Sequence, residues 1–356
     1  MTLHIFNPEH DIALAADSPF WTSPKAGIML RQSLGWLPAL WAKDGDVVIV
    51  SDVSEAHSEQ EAVESILKRK CIGVRFCTLG DVVKKTFRND IDNVDVWGWD
   101  CAVVNQLARA GVSRGLMPSD ELLKHQRALS DRATSAKLLD HLVHLSDIFC
   151  GEAIAVHNIN NIELLAESWG SIVLKSPWSS SGRGVRQWME RNQATKRWAE
   201  KVIESQGHIM VERYLDKVMD FAMEFNVDDD GTVKYQGLSL FSTSGSAYTG
   251  NMLAPEEDKR KILSAYIAAE LLDDIACEVC QWMQHALSGY YIGPFGIDMM
   301  IVRINSGNGF GINPCVEINL RRTMGHVALC ISDTEGARGK TMNVVFRNNK
   351  HSFCIE

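Results

Sequence analysis

At 356 residues, and at roughly 150 residues per domain, the chain accommodates two to three domains and a core that needs no disulfide staples. Hydrophobic residues make up 46% and charged residues 23%, which excludes global disorder. Asp and Glu outnumber Lys and Arg by 45 to 36, a formal net charge of −9. This acidic balance argues against nucleic acid or an anionic membrane as the main partner, yet leaves room for a local basic pocket.

The start, Met1 to Pro8, has no basic region followed by a long apolar run, so no signal peptide is expected. Apolar runs such as 297–302, broken by Asp298, are too short to span a bilayer. The nine cysteines are scattered, with one close pair, Cys277 and Cys280, in a stretch that reads as helix. A zinc ribbon needs a second such pair, so reduced thiols and a cytoplasmic location are expected.

Residues 3–6, 47–50 and 74–79 read as buried strands, with helical periodicity over 26–41 and 59–70. Such alternation predicts a parallel sheet covered by helices on both faces. Beyond Gly115 the pattern changes. Pro118-Ser119-Asp120 starts a helix over 121–129, and Ser130-Asp131 opens another over 132–143. Strand-like runs follow at 171–175, 208–212, 220–227 and 232–241, with Asp228 to Gly231 as a hairpin turn. A long helix is expected over 257–287, then strands at 294–302 and 311–319 joined by a turn at 305–309. Antiparallel strands with helices make this part α+β.

Three stretches carry chemistry. A strand delivers Lys175, and a loop from Ser179 through Ser180, Ser181, Gly182 and Gly184 follows. Its glycines let backbone N–H groups approach an anion, although Ser/Gly loops also serve as plain connections. The run fits neither a Walker loop nor a dinucleotide turn. Asp298 interrupts an apolar strand, and Glu317 and Asn319, two apart, share a strand face. Three oxygen ligands without His or Cys suit magnesium held jointly with phosphates, while pairing with Arg321 and Arg322 is the plainer alternative. The third stretch, 209–214, is an apolar strand that ends in the charged turn Glu212, Arg213 and Tyr214, with Asp220 beyond; an ordinary edge hairpin with surface charges is the plainer reading of it in isolation.

In this order the elements resemble the ATP-grasp superfamily over about 118–328. The resemblance implies an α/β plus α+β chain: a Rossmann-like N-terminal domain at 1–117, then a two-lobed ATP-grasp domain at 118–356. Its first lobe, 118–210, carries the Gly/Ser loop, and its second, 211–356, the metal site. By position, Lys175 matches the lysine on the α/β-phosphates and Ser179 to Gly184 the mobile loop covering them. Glu212 matches the hinge carboxylate at the adenine edge, with Val211, Arg213 and Tyr214 offering backbone contacts. Asp220 stands where the family usually has a ribose-binding glutamate. Asp298, Glu317 and Asn319 match the magnesium ligands, and Arg321 the arginine that steadies the transferred phosphoryl group. Arg132 replaces a common lysine at a helix start and still suits a phosphate.

The resemblance further implies ATP with two magnesium ions, manganese being an acceptable substitute, and a reaction joining a small-molecule carboxylate to an amine through an acylphosphate. A homodimer is frequent in the family. A kinase acting on a hydroxyl and a non-catalytic nucleotide binder are the alternatives. Asn7, Glu9, His10 and Asp11 form a polar loop after the first strand, where α/β domains place ligand contacts. Helix capping by Asn7 or Asp11 is the competing reading. Trp97 and Trp99 fit core packing as well as a ligand wall; Tyr248 and His326 are further candidates, His326 equally as part of a helix start.

Overall fold

Four short parallel strands organise the N-terminal part of this computed structural model, which describes residues 1–84, 90–179, 182, 184–188, 192–244, 247–304 and 309–356. In chain order the elements are β1 (Thr2–Ile5), α1 (His10–Ala16), α2 (Lys25–Leu34), β2 (Val47–Ile49) and α3 (Val53–Leu67). Next come β3 (Arg75–Cys77), α4 (Leu79–Val83), β4 (Asn93–Val96) and α5 (Cys101–Arg109). The strand order is β3-β2-β1-β4, all parallel, as in one half of a doubly wound sheet. Leu3, Ile5, Val47, Ile49, Val94 and Val96 share a core with Val103, Val104 and Leu107 of α5. Val48, Val50 and Phe76 share another with Ala56, Val63 and Leu67 of α3. Burial on both faces explains why β1 and β2 read as continuous apolar runs.

Two expectations change here. The helix anticipated over 26–41 stops at Leu34, and a 3₁₀ turn covers Leu37–Leu40 with Pro38 near its start. Proline supplies no N–H and clashes with the carbonyl four residues back, which breaks the helix. β4 was absent from the anticipated strands because Asp95 interrupts its apolar pattern. That carboxylate is accommodated because His4 Nδ1 (2.9 Å) and the Trp41 indole N–H (2.9 Å) both meet it.

After α6 (Asp120–Leu129) and α7 (Arg132–Val143), the chain forms β5 (Ala153–Val156), α8 (Ile159–Trp169), β6 (Ile172–Lys175), β7 (Val185–Gln187), α9 (Gln193–Gln206) and β8 (Ile209–Arg213). These strands make an antiparallel sheet in the order β5-β8-β6-β7. Ile162, Ile172, Leu174, Ala199, Ile209 and Val211 form its core.

Then come β9 (Lys217–Val227), β10 (Val233–Ser244), β11 (Ala247–Leu253), α10 (Glu256–Leu263), α11 (Glu270–Leu287), β12 (Gly293–Arg303) and β13 (Phe310–Asn319). β13, β12, β9 and β10 pair antiparallel in that order. Phe221, Met223 and Phe225 of β9 and Ile297, Met299 and Ile301 of β12 share a core with Leu272, Ile275, Val279 and Met283 of α11. The single helix expected over 257–287 is two helices. Burial of Ile267 and an edge-on contact of Tyr266 with Phe310 (4.9 Å) override helix propensity between them. The turn anticipated at 305–309 lies mostly outside the described residues.

α12 (Met324–Ser332), β14 (Lys340–Arg347) and β15 (Lys350–Ile355) complete the chain. β14 and β15 form a hairpin whose turn residues, Asn348 and Asn349, take φ of 52° and 60°, the left-handed region that two-residue hairpins need. Residues 1–127, 249–255 and 321–356 form one compact unit, and 128–248 with 256–320 another. The C-terminal segment 321–356 thus groups with the first unit. Val327, Ala328, Ile331 and Phe353 join Trp36 and Leu37 in its core. Among the described residues no helix is long and apolar enough to cross a membrane.

Candidate active site

In the second unit, antiparallel register explains how Lys175 meets Glu212. Lys175 pairs with Met210 and Val173 with Glu212, so both charged side chains leave the same face. Leu174 and Val211 turn to the opposite, buried side. Lys175 is buried, its Nζ lies 2.7 Å from Glu212 Oε2, and it donates to the Val316 carbonyl at 3.4 Å. The residue that the resemblance assigns to the adenine edge therefore pairs with the one that it assigns to phosphate. Val211 sits mid-ladder, while the N–H groups of Arg213 and Tyr214 donate to the carbonyls of Glu152 (3.2 Å) and Ser171 (2.9 Å). The backbone contacts expected at Arg213 and Tyr214 are thus not available through their N–H groups.

The loop after Lys175 folds back on the strand. Ser176 N–H donates to the Gly184 carbonyl (2.8 Å) and Val185 N–H to that of Gly182 (3.2 Å). A Cβ on Gly184 would come within 2.2 Å of Ser179 Oγ, so only glycine permits this approach. Ser180 and Ser181 lie outside the described residues.

Arg132 is the first residue of α7, whose cap is Asp131, its side chain accepting from Ala133 N–H at 2.8 Å. Its guanidinium donates to the Ser176 carbonyl, to Ser179 Oγ (2.8 Å) and to Glu317 Oε1 (2.6 Å). One buried arginine thus joins Ser176 and Ser179, which follow β6, to Glu317 of β13. Asp298 stands directly opposite Glu317, and Gly296 opposite Asn319, so Asp298, Glu317 and Asn319 share a sheet face. Asp220 pairs in register with Met300, one step along that face. Its Oδ2 accepts from Lys217 Nζ (2.6 Å) and Thr243 Oγ1 (2.7 Å).

Among the described residues no group of three or more His, Cys, Asp and Glu side chains is placed to hold a metal. Two carboxylates and one amide nevertheless make an oxygen-only donor set, which fits magnesium shared with phosphate oxygens. Cys315 lies fully buried nearby, and burial, reinforced by the Glu212 charge, pushes its thiol far above the ordinary range. Glu224 and Ser239 escaped the sequence reading. Both are about 1% exposed. Glu224 faces Gly296 in register and shares the Asp298 side of β9, since Phe221, Met223 and Phe225 take the other. The period-two alternation of Phe221 to Phe225 was the available signal.

Arg321 belongs to the first unit, where it makes a bidentate pair with Asp11: Nε to Oδ1 at 3.0 Å and Nη2 to Oδ2 at 2.8 Å. Asn7 does not cap α1. Its amide donates to the Gly98 carbonyl (2.8 Å) and to Asp100 (3.2 Å), and His10 Nδ1 also lies 3.2 Å from Asp100. Glu9 pairs with Arg31, which donates to Gln106 Oε1 at 3.0 Å. Trp97 is core, edge-on to Phe6 at 4.8 Å, and Trp99 packs against the core of the same unit. His326 forms a capping box with Thr323 at the start of α12. Tyr248 lies in β11, and burial raises its hydroxyl pKa.

No protein-family model and no curated protein matches the chain. Among solved structures it matches biotin carboxylase from Campylobacter jejuni with β,γ-ATP at a TM-score of 0.51 and 12% identity, over 99% of this chain and 73% of that one. It matches pyruvate carboxylase from Rhizobium etli with acetyl coenzyme A at 0.50 and 12%, over 92% of this chain and 27% of that one. N5-carboxyaminoimidazole synthetase from Staphylococcus aureus with ADP follows at 0.48 and 13%, over 97% and 82%. The fold is the ATP-grasp fold.

Proposed function

We propose that the chain is an ATP-dependent ligase that joins a small carboxylate to an amine, with release of ADP and phosphate. The observation that carries this reading is the gathering of Arg132, Lys175, Ser179 and Glu317 in one unit, with Asp298 and Asn319 on the same strand face as Glu317. Fold alone does not fix chemistry. This set of side chains does argue for it, because phosphoryl transfer relies on positioning and charge neutralisation rather than on a protein nucleophile.

In the proposed mechanism Lys175 and Arg132 exchange Glu212 and Glu317 for phosphate oxygens, which are equally good acceptors for their N–H groups. Ser179 and the glycines of its loop add donors from above the strand end. Asp298, Glu317 and Asn319 would hold magnesium, whose charge would offset that of the β- and γ-phosphates. Within the first unit, Asp11 fixes the plane of the Arg321 guanidinium through a bidentate pair. The carboxylate oxygen forms a bond to the γ-phosphorus as the bond to the β-phosphate oxygen breaks and ADP leaves. The amine then attacks the acyl carbon, phosphate departs with the bonding electrons, and the nitrogen gives up its proton.

The substrates in this reading are small molecules, the metal is two magnesium ions, the assembly is a homodimer, and the location is cytoplasmic, in keeping with nine free cysteines. The test is ADP and phosphate release from Mg-ATP against pools of amino acids, dipeptides and polyamines, with Glu317→Ala as control. Equal release of ADP and phosphate that needs a pool and vanishes in the control is expected. ADP without free phosphate would indicate a kinase, and absence of ATP binding would overturn the site.

A further inference from the structure

The first unit contains a cavity of about 330 Å³ at the carboxyl ends of β1, β2 and β3, where open parallel sheets place ligands. Phe6, Ile49 and Leu79 give it apolar walls, and Arg31, Gln106 and Ser51 supply its polar side. Among the described residues no acidic side chain lines it; Glu9, the partner of Arg31, does not. The polar side is rich in donors. Arg31 Nε is buried without an acceptor, although the same guanidinium already reaches Glu9 and Gln106. Gln106 spends its carbonyl on Arg31, which leaves its amide N–H groups. Burial raises the Glu9 carboxyl above its ordinary range despite the adjacent Arg31. The Arg31 side chain is nevertheless 26% exposed, and each Nη carries a second N–H beyond those given to Glu9 and Gln106, available to an incoming oxygen.

We propose that this cavity binds a small monocarboxylate with a compact branched or aromatic body. The carboxylate accepts from Arg31 and Gln106, and the body replaces water against Phe6, Ile49 and Leu79. At ~30 Å³ per water the space equals roughly ten waters, which suits an acid of about eight to ten heavy atoms. None of these residues belongs to the set assigned to nucleotide or metal, and the test uses neither ATP nor magnesium, so it can fail without touching the ligase reading.

The test is calorimetric titration of the full chain with 4-methylpentanoate and phenylacetate, against their neutral amides. The acids are expected to bind at about millimolar or tighter, and the amides at least about tenfold more weakly. Arg31→Met weakens both acids about tenfold or more and leaves the amides unchanged. Gly80 lines the cavity, and a Cβ there meets only Thr78 Oγ1, at 3.5 Å, so Gly80→Leu fills the space without a clash at Cβ. That variant weakens acids and amides together, and it carries the test should the arginine variant not fold. Failure of both acids to saturate by about 10 mM, amides that bind as well as acids, or wild-type binding by Gly80→Leu would each overturn the proposal.

Discussion

Replacing Arg132 by methionine tests whether the second unit is held together at its proposed site. The arginine is 4% exposed and donates to the Ser176 carbonyl, Ser179 Oγ and Glu317 Oε1. Breaking a fully buried ion pair costs about 3–5 kcal/mol, because the remaining charge is left uncompensated. The Glu317 side chain is 25% exposed, so water recovers part of that cost and about 2–3 kcal/mol remains. The Ser176 carbonyl, buried and stripped of this donor, adds about 1 kcal/mol, and methionine returns a similar amount through apolar packing. The expected loss is therefore about 2–3 kcal/mol, measured by urea unfolding without nucleotide or metal. Glu317→Gln in the same background separates the pair from the packing: the two substitutions together should cost at least about 1 kcal/mol less than the sum of the singles. A single variant within about 0.5 kcal/mol of the parent, or strict additivity, would refute the coupling and with it the view that the ion pair ties these elements.

Acid should weaken the first unit through Asp95. Burial raises that carboxyl, but the His4 hydrogen bond, the charges of Arg322 and His4, and the Trp41 indole outweigh it and hold it at about 2, below the unfolded 3.8. The contribution, about 2 kcal/mol, is present above the unfolded value and lost as pH falls from about 4 toward 2, with Asp46, also lowered, acting in the same direction. Asp95→Asn should flatten the acid limb of unfolding free energy against pH, and an unchanged limb would sink the assignment. Gly98→Ala should destabilise the same unit by about 1–3 kcal/mol, since its Cβ would fall 2.5 Å from a His10 ring carbon. His10 is buried against Asp100 and has little room to yield, so an unchanged urea midpoint would contradict the packing described.

Residue type and spacing made much of the second unit legible. Two strands whose polar residues stand at period two brought Asp298 opposite Glu317, as expected of carboxylates interrupting apolar runs. Lys175 was legible for the same reason, as a buried cation at the end of an apolar strand. Partner choice was not. Arg132 and Glu317 are 185 residues apart, and only the register of β13 and the entry of α7 bring them within 2.6 Å. Asp11 and Arg321 are separated by 310 residues. β4 was hidden because Asp95 reads as polar until His4, Trp41 and Arg322 are seen around it.

One physical rule covers both the successes and the omissions. A charged side chain survives burial only if it is paired, so a charge inside an apolar run marks a place where the fold has supplied a partner or a ligand will. Sequence reveals the charge, and therefore the place. The partner depends on strand register and on contacts between elements distant in the chain, which a local pattern does not encode. Lys175 with Glu212 and Arg132 with Glu317 are each a residue assigned to phosphate joined to one assigned to adenine or metal. In the ligase reading the two roles are consistent: the carboxylates hold the cations at the phosphate site and are released to their own ligands when phosphate oxygens take their place.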